Sequence, residues 1–263
     1  MSFLNVSGKN YLITGVANKK SIAFFVARIL SEEGANLFFS VQSEVQQAKV
    51  QELFPGRPVY LCDVVSDEQI KSLAGHLKND VSELHGLLHS IAFANLKDGI
   101  RPFHETSWED FSQASHVSLY SLVGLARHLK ELFHPSASVV ALSISNTRAT
   151  NYGYLGPIKA ALDSAVAFLS KSFSSFSEVR FNALCAGPLK TSASAGIPGY
   201  VKNYLFAEKL TLRKRALATE EVANAAVFLL SERSSGITAS SMIIDAGMSA
   251  NYFDESVVEK TML

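Results

Sequence analysis

Short, almost unbroken apolar runs alternate along this chain with longer stretches whose apolar residues recur every three or four positions. The first kind predicts strands: Tyr11 to Thr14, Asn36 to Val41, Pro58 to Cys62, Gly86 to Ala92, Ser138 to Ile144, Val179 to Leu184 and Ser241 to Asp245. The second predicts helices over 21–33, from 43 to about 53, and over 66–78, 108–133, 154–173 and 219–231. Alternation of this type is the signature of βαβ units. Because the strands are apolar throughout instead of alternating with polar residues, both faces of the sheet should be covered by helices. The expectation is an α/β fold: one doubly wound domain over residues 1–263, with a parallel sheet of about seven strands. Ligands of such sheets bind beyond the carboxyl ends of the strands. Function should therefore reside in the residues just after each strand.

Composition narrows the classes of partner. Of the 263 residues, 48% are hydrophobic, enough for a sizeable core, and Lys plus Arg balances Asp plus Glu at 24 each. That balance gives no bulk attraction to nucleic acid or to an anionic membrane. No apolar run approaches the ~20 residues that cross a bilayer, and the N-terminus carries no basic and then apolar leader. The two cysteines, Cys62 and Cys185, lie in apolar segments and read as small buried hydrophobes in a reducing compartment. A cytoplasmic protein is expected. His85 and His89 are four residues apart, but on an apparent strand and not a metal-binding helix, so no metal site is expected.

The first strand runs through Gly15 into a helix, and Gly15 permits the sharp turn between them. Amides near Ser21 and Ile22, at the helix start, are placed to meet a pyrophosphate. The usual G-x-G-x-x-G spacing is missing. An ordinary βα turn is the competing reading. After strand two comes Gln42, which can bond ribose hydroxyls but brings no charge to a 2′-phosphate. Its neighbours Val41, Ser43 and Glu44 bring none either, so NADH is favoured over NADPH. Asp63 is placed to accept the adenine amino group and Val64 to pack on the ring; alternatively Asp63 caps the next helix. The small residues around Ser90, Ile91, Ala92 and Ala94 let backbone pass close beneath a flat ligand. A Rossmann-like dinucleotide-binding domain fits these features.

Lys159 follows Tyr152 by seven residues, within ~20° of the same helix face at ~100° per residue. Tyr154 would point well away. An ammonium near a phenol lowers the phenol's pKa, and the two form a plausible acid–base pair. The bland alternative is a core anchor and a solvated charge. After Thr191 the chain is small and flexible, and a helix is predicted from Tyr200 to Lys209. A lid over about 192–210 is expected, with Tyr200, Leu205 and Phe206 lining an acyl channel. An ordinary surface excursion is the alternative.

The Tyr-x6-Lys spacing occurs together with Gly15-Val-Ala-Asn-Lys-Lys-Ser-Ile-Ala, Cys62-Asp-Val and His89-Ser-Ile-Ala-Phe-Ala. Ala186-Gly-Pro-Leu-Lys-Thr-Ser-Ala and Asp245-Ala-Gly complete the set. Jointly these motifs resemble the bacterial enoyl-acyl-carrier-protein reductases, divergent members of the short-chain dehydrogenase/reductase superfamily. The resemblance implies NADH-dependent reduction of the trans-2 double bond of enoyl thioesters in fatty-acid elongation. It implies that Tyr152 bonds the thioester carbonyl and that Lys159 bonds the nicotinamide ribose. Gly15, Ser21, Ile22, Gln42, Asp63, Val64, Ser90, Ile91, Ala92, Leu189 and Thr191 would hold the cofactor. Ala94, Ala193, Ile197, Tyr200 and Phe206 would face the substrate. Ordinary carbonyl reductases of the superfamily carry Tyr-x3-Lys instead. The resemblance also implies a homotetramer built through 108–133 and 152–173, and an acyl-carrier-protein dock near Lys202, where Val201 thins the basic patch. Lys209, Arg213, Lys214 and Arg215 lie downstream of it. Ser118 falls near a polar active-site position of the superfamily, which implies a role in orienting a water. Three departures stand out: Ile144 where the family has a second aromatic, Ala92 for Gly, and Ala246 for Gly. The rival readings are a short-chain reductase acting on another activated alkene or carbonyl, and a non-catalytic NADH-binding regulator.

Overall fold

A computed structural model describes residues 3–97, 99–251 and 253–261, apart from the side chains of Ser192, Ala193 and Thr261. The strands are β1 (Asn10–Thr14), β2 (Asn36–Val41), β3 (Val59–Leu61), β4 (Leu84–His89), β5 (Phe133–Ile144), β6 (Arg180–Ala186) and β7 (Ser241–Ile244). The first helices are α1 (Ile22–Glu32), α2 (Glu44–Leu53) and α3 (Asp67–Asp80). Next come α4 (Trp108–Ser115), a wide π turn (His116–Tyr120), α5 (Ser121–Leu129) and α6 (Leu155–Phe173). A short α7 (Ser192–Ala195) and α8 (Tyr200–Leu210) form an excursion after β6; α9 (Thr219–Leu230) precedes β7, and α10 (Glu255–Val258) lies near the C-terminus.

The seven strands form one parallel sheet in the order β3-β2-β1-β4-β5-β6-β7. Strand order therefore reverses between β1 and β4, which opens a crevice at their carboxyl ends. Successive residues of each strand fall in opposite core layers, which explains the unbroken apolar runs. Ile13, Leu88, Val140 and Leu184 join one layer with Val26 and Leu30 of α1 and Val222 and Ala226 of α9. Leu12, Leu87, Val139 and Ala183 join the other with Leu73 of α3, Leu125 of α5 and Leu162 of α6. Each such leucine contributes about 1.5–3 kcal/mol by burial.

Serine caps start the early helices where polar-to-apolar transitions predict them. The hydroxyls of Ser21, Ser43 and Ser66 accept from the N–H groups of Phe24, Gln46 and Gln69. Two boundaries differ from expectation. The helix anticipated over 108–133 is broken by the π turn and stops at Leu129, and Phe133 already pairs with Leu84 as part of β5. Pro135 forces the residue before it into extended backbone, which favours strand over helix there. β4 ends at His89, so Ser90 to Ala92 are loop. Among the described residues no helix is long and apolar enough to cross a membrane.

Candidate active site

The crevice between β1 and β4 is narrow for a stated reason. Thr14, fully buried at the end of β1, donates from Oγ1 to Leu88 O (2.9 Å) and accepts from Ser90 N–H (3.1 Å). This ties the two strand ends together. Gly15 follows with φ +80°, and a Cβ there would lie 1.9 Å from Ser90 O. Backbone thus occupies the space that a side chain would need, leaving a flat cradle beside the N-terminus of α1. That cradle, with a helix N-terminus aimed at it, fits a dinucleotide. Thr14 is a functional residue that the sequence reading passed over; a polar residue closing an apolar strand was its signal.

The other expected cofactor residues ring this crevice, with differences. The Ser21 N–H donates to Asn18 O (3.1 Å) and its hydroxyl to the same carbonyl (2.8 Å), so in this arrangement Ser21 holds the turn. Ile22 is the first residue of α1 and is half-buried. Gln42 is exposed, and its Nε2 donates to Asp63 Oδ2 (3.3 Å). Asp63 Oδ1 accepts from Val65 N–H (3.2 Å), whereas Ser66 is the residue that caps α3. Val64 is 7% exposed and belongs to the core with Ile70 and Leu73, so little of it remains to cover an adenine. Ser90 and Ile91 are half-buried and Ala92 is exposed along the crevice. Leu189 is buried, and Thr191 is held by Ser194, whose Oγ accepts from Thr191 N–H (2.9 Å).

At the catalytic end, Tyr152 closes a 3-10 turn (Thr150–Tyr152) and Lys159 lies one turn into α6. Lys159 is 4% exposed, and its Nζ donates to Leu142 O of β5 (2.7 Å). Burial pushes its ammonium down from 10.5 to about 8, against which the charges of Asp163 and Cys185 act. The Tyr152 phenol is pushed up to about 12, by burial and then by the neighbouring Tyr200 phenol. This reverses the expectation that Lys159 lowers the Tyr152 pKa. Tyr152 precedes α6 across the left-handed turn at Gly153, and the Lys159 ammonium is drawn to the β5 carbonyl while burial strips water from the phenol. Tyr152 therefore stays protonated at neutral pH. A lysine at the ketone-reductase spacing would replace Gly156, where a Cβ would come 2.8 Å from Thr147 O. The longer spacing is built into the backbone.

His89 ends β4 beside this pair and is fully buried. Its Nε2 lies 2.7 Å from Ser121 Oγ, its Nδ1 has no protein partner, and burial followed by the Lys159 charge pushes it down to about 3. His85 and His89 lie on the same strand, as expected, and share no contact site. His85 instead stacks on His134 at the opposite end of the sheet (ring centroids 5.0 Å apart), near Glu83. The Nδ1 atoms of both rings accept backbone N–H bonds, from Asn10 and Ser136 (3.2 Å each).

The substrate side brings further corrections. Ser118 Oγ accepts from Phe93 N–H (3.0 Å) and donates to Phe93 O (3.3 Å), so it clamps a loop and has no hydrogen left for a water. Tyr200 Oη accepts from Leu189 N–H (2.8 Å) and donates to Leu189 O (2.9 Å). Its hydroxyl thus ties the start of α8 to the strand-end loop, and only its ring remains to meet a ligand. On α8, Tyr204 and Ala207 pack inward while Leu205 and Phe206 (52% exposed) face solvent, outside any channel in this arrangement. Ala94 and Ile197 are half-buried, and the side chain of Ala193 lies outside the described residues. Lys202 is exposed. Arg213 is paired with Glu221 and Lys214 with Asp254, so the downstream basic cluster is partly neutralised.

A family model described as enoyl-(acyl carrier protein) reductase matches residues 15–249. The chain is 37% identical over 252 residues to an enoyl-[acyl-carrier-protein] reductase of Nostoc sp. whose name specifies NADH; the match covers 93% of this chain and 97% of that one. It is 35% identical over 254 residues to a Staphylococcus aureus enzyme of the same type whose name specifies NADPH, covering 94% and 99%. The crystal structure of the Aquifex aeolicus enoyl-[acyl-carrier-protein] reductase (NADH) superposes with a TM-score of 0.87 at 34% identity, over 93% of this chain and 97% of that one.

Proposed function

The chain belongs to the enoyl-acyl-carrier-protein reductase family, and we propose that it reduces the trans-2 double bond of its enoyl thioester with NADH in preference to NADPH, through Tyr152 and Lys159. The family assignment makes it an oxidoreductase of fatty-acid elongation. One observation supports the residue assignment: at the Tyr-x6-Lys spacing, Lys159 is buried and anchored on the Leu142 carbonyl of β5, while burial keeps the Tyr152 phenol protonated. A nicotinamide held in the crevice would supply the hydride to C3, and a proton from solvent would complete the reduction at C2. As charge moves onto the thioester oxygen, the Tyr152 O–H donates to it and stabilises the enolate. Lys159, anchored on Leu142 O, keeps N–H groups for a ribose hydroxyl.

Preference for NADH is supported by Gln42, whose amide is already joined to Asp63 at the end of β2. A 2′-phosphate there would meet a carboxylate and no cation. A second reading has its own observation: Lys19, Lys20 and Lys49 line a cleft on the other side of the β1–α1 turn. If the ribose leans that way, NADPH is accepted. Oxidation of each cofactor with the same trans-2-enoyl thioester tests both readings. Turnover with NADH and little with NADPH supports the Gln42 reading, equal rates support the lysine cleft, and no turnover with either overturns the assignment of reaction.

The remaining expectations stay proposals. An acyl-carrier protein, being acidic, fits the exposed Lys202 on the helix that follows the substrate loop, and α7–α8 over 192–210 is proposed as the lid. A homotetramer is supported by large apolar residues left outward on the long helices, Tyr120 and Phe168 among them. A cytoplasmic site is supported by two free, buried thiols, Cys62 and Cys185.

A further inference from the structure

Eighteen residues, 90–107, connect β4 to α4 with only a single 3-10 turn among those described. Connectors of that length are mobile unless something holds them. This one is held at two alternate residues in the same manner. Ser118 Oγ takes both main-chain groups of Phe93, and Tyr154 Oη takes both of Asn95, accepting the N–H (2.7 Å) and donating to the C=O (3.3 Å). The Asn95 side chain adds a bond from Nδ2 to Asp110 Oδ1 (2.9 Å). Ala94 is therefore fixed from both sides.

The clamp and the reacting residues share one packing unit. Tyr154, Leu155, Ile158 and Ala114 form a small buried cluster, and Ala94 and Tyr152 both pack against it. Ser118 reaches the loop because it sits in the π turn, and such turns interrupt helices to re-aim side chains. Tyr154 reaches it because the chain turns at Gly153 before entering α6.

We propose that Tyr154 is a positioning residue: its hydroxyl, with that of Ser118, locks Ala94 against the cluster behind Tyr152 and so sets how tightly the enoyl chain is held. The inference rests on the reductase reading and on Ala94 forming part of the substrate wall. Tyr154 acts through the loop and touches neither cofactor nor reacting atoms.

Tyr154→Phe keeps the ring and removes only the hydroxyl, so the cluster stays packed. Amide hydrogen exchange across 93–96 should quicken at least about tenfold. KM for a trans-2-enoyl thioester should rise about five- to twentyfold, with kcat and the NADH Kd each within about twofold of the parent. Ser118→Ala should reproduce the pattern from the other side of Ala94. A purely structural role would lower kcat, NADH affinity and thermal stability together, and that result would overturn the proposal. So would unchanged KM in both variants. If the parent protein turns over no enoyl thioester, the reductase reading fails separately, and unaltered exchange at 93–96 would overturn the clamp itself.

Discussion

The two edges of the crevice are built by different means. On the cofactor side, regular backbone does the positioning: Thr14 ties β1 to the end of β4, and Gly15 brings main chain against main chain at a distance no side chain would fit. On the substrate side, single hydroxyls reach across to irregular backbone: Ser118 to Phe93, Tyr154 to Asn95 and Tyr200 to Leu189. Strand-end geometry is supported by the whole sheet and is hard to displace. Hydroxyl clamps, each contributing about 0.5–1.5 kcal/mol, can open one at a time. A site that keeps one cofactor orientation while admitting and releasing a long acyl chain has use for both. The cofactor edge should therefore tolerate almost no change, and the substrate edge should respond in graded steps.

The largest effect should come from Gly15→Ala. The new Cβ would stand 1.9 Å from Ser90 O in a left-handed backbone (φ +80°). Neither the carbonyl nor the turn can yield without separating β1 from β4. Loss of more than about 3 kcal/mol of stability is expected, with NADH affinity down at least about a hundredfold. Calorimetric titration and chemical denaturation measure the two. A variant that still binds NADH normally would break the comparison at its firmest point.

Next comes Tyr152→Phe. The phenol at about 12 is protonated throughout the neutral range, so its loss removes a donor and not a base. The expected drop in kcat is about a hundredfold, with NADH binding intact, and the remaining rate should show no new dependence on pH between 6 and 8 (~2 units below any phenol ionisation). A variant retaining full activity would assign the donor elsewhere and favour the non-catalytic rival for this residue.

How legible these features were depends on the range of the interaction behind them. β1, α1 and β2 are set by local apolar period and a serine cap, and the sequence places them to within a residue or two. The break in the 108–133 segment depends on Pro135 and on a π turn, which leaves no periodic trace because its residues continue the helical pattern. Helical spacing singles out Lys159 and Tyr152, yet it is silent about Gly153, whose left-handed turn sets Tyr152 outside α6, and about Leu142 O, the carbonyl from another strand that takes up the ammonium. Tyr154 is the clearest case. On a helical wheel it points away from Lys159, and its actual target lies 59 residues upstream in a loop of no regular structure. Cofactor-edge residues were readable because they follow strands; substrate-edge clamps were not, because nothing local announces their partners.

Lys159 gives a pH signature that separates the buried pair from the rest. Its pKa falls from 10.5 when free to about 8 when folded, so between those values the unfolded chain binds the extra proton. Stability from this group is reduced below pH 8 and recovers as pH rises from about 8 towards 10.5, by an amount of order 1–3 kcal/mol. Asp163 and Cys185 face the ammonium and His89 lies beside it, while the elevated Cys185 thiol acts in the opposite direction, losing stability as pH rises above its ordinary value. The quantity to read is therefore the difference between the parent and Lys159→Met, from denaturation at about pH 7.5 and about pH 9.5. A difference independent of pH would show that Lys159 is not held charged in the core.

The smallest effect is the most direct contrast with Gly15. Ala246, just beyond β7, also has left-handed backbone, φ +55°, and its carbonyl accepts from Leu212 N–H (3.0 Å) below the base of α8. An L-residue there costs about 1–2 kcal/mol, and the chain carries that cost at Ala246. Ala246→Gly relieves that cost but adds about 0.4–1 kcal/mol of unfolded-state entropy. The net gain should be at most about 1 kcal/mol, with Tm up by no more than about 2–4 °C and NADH affinity untouched. Both edges use left-handed turns, so the sign of φ alone does not dictate glycine. At residue 15 a backbone carbonyl fills the space where Cβ would stand; at residue 246 the side chain is accommodated and only the torsional cost remains. Stabilisation by Ala246→Gly beside collapse by Gly15→Ala would show that close approach, not conformational freedom, makes glycine obligatory at the cofactor edge.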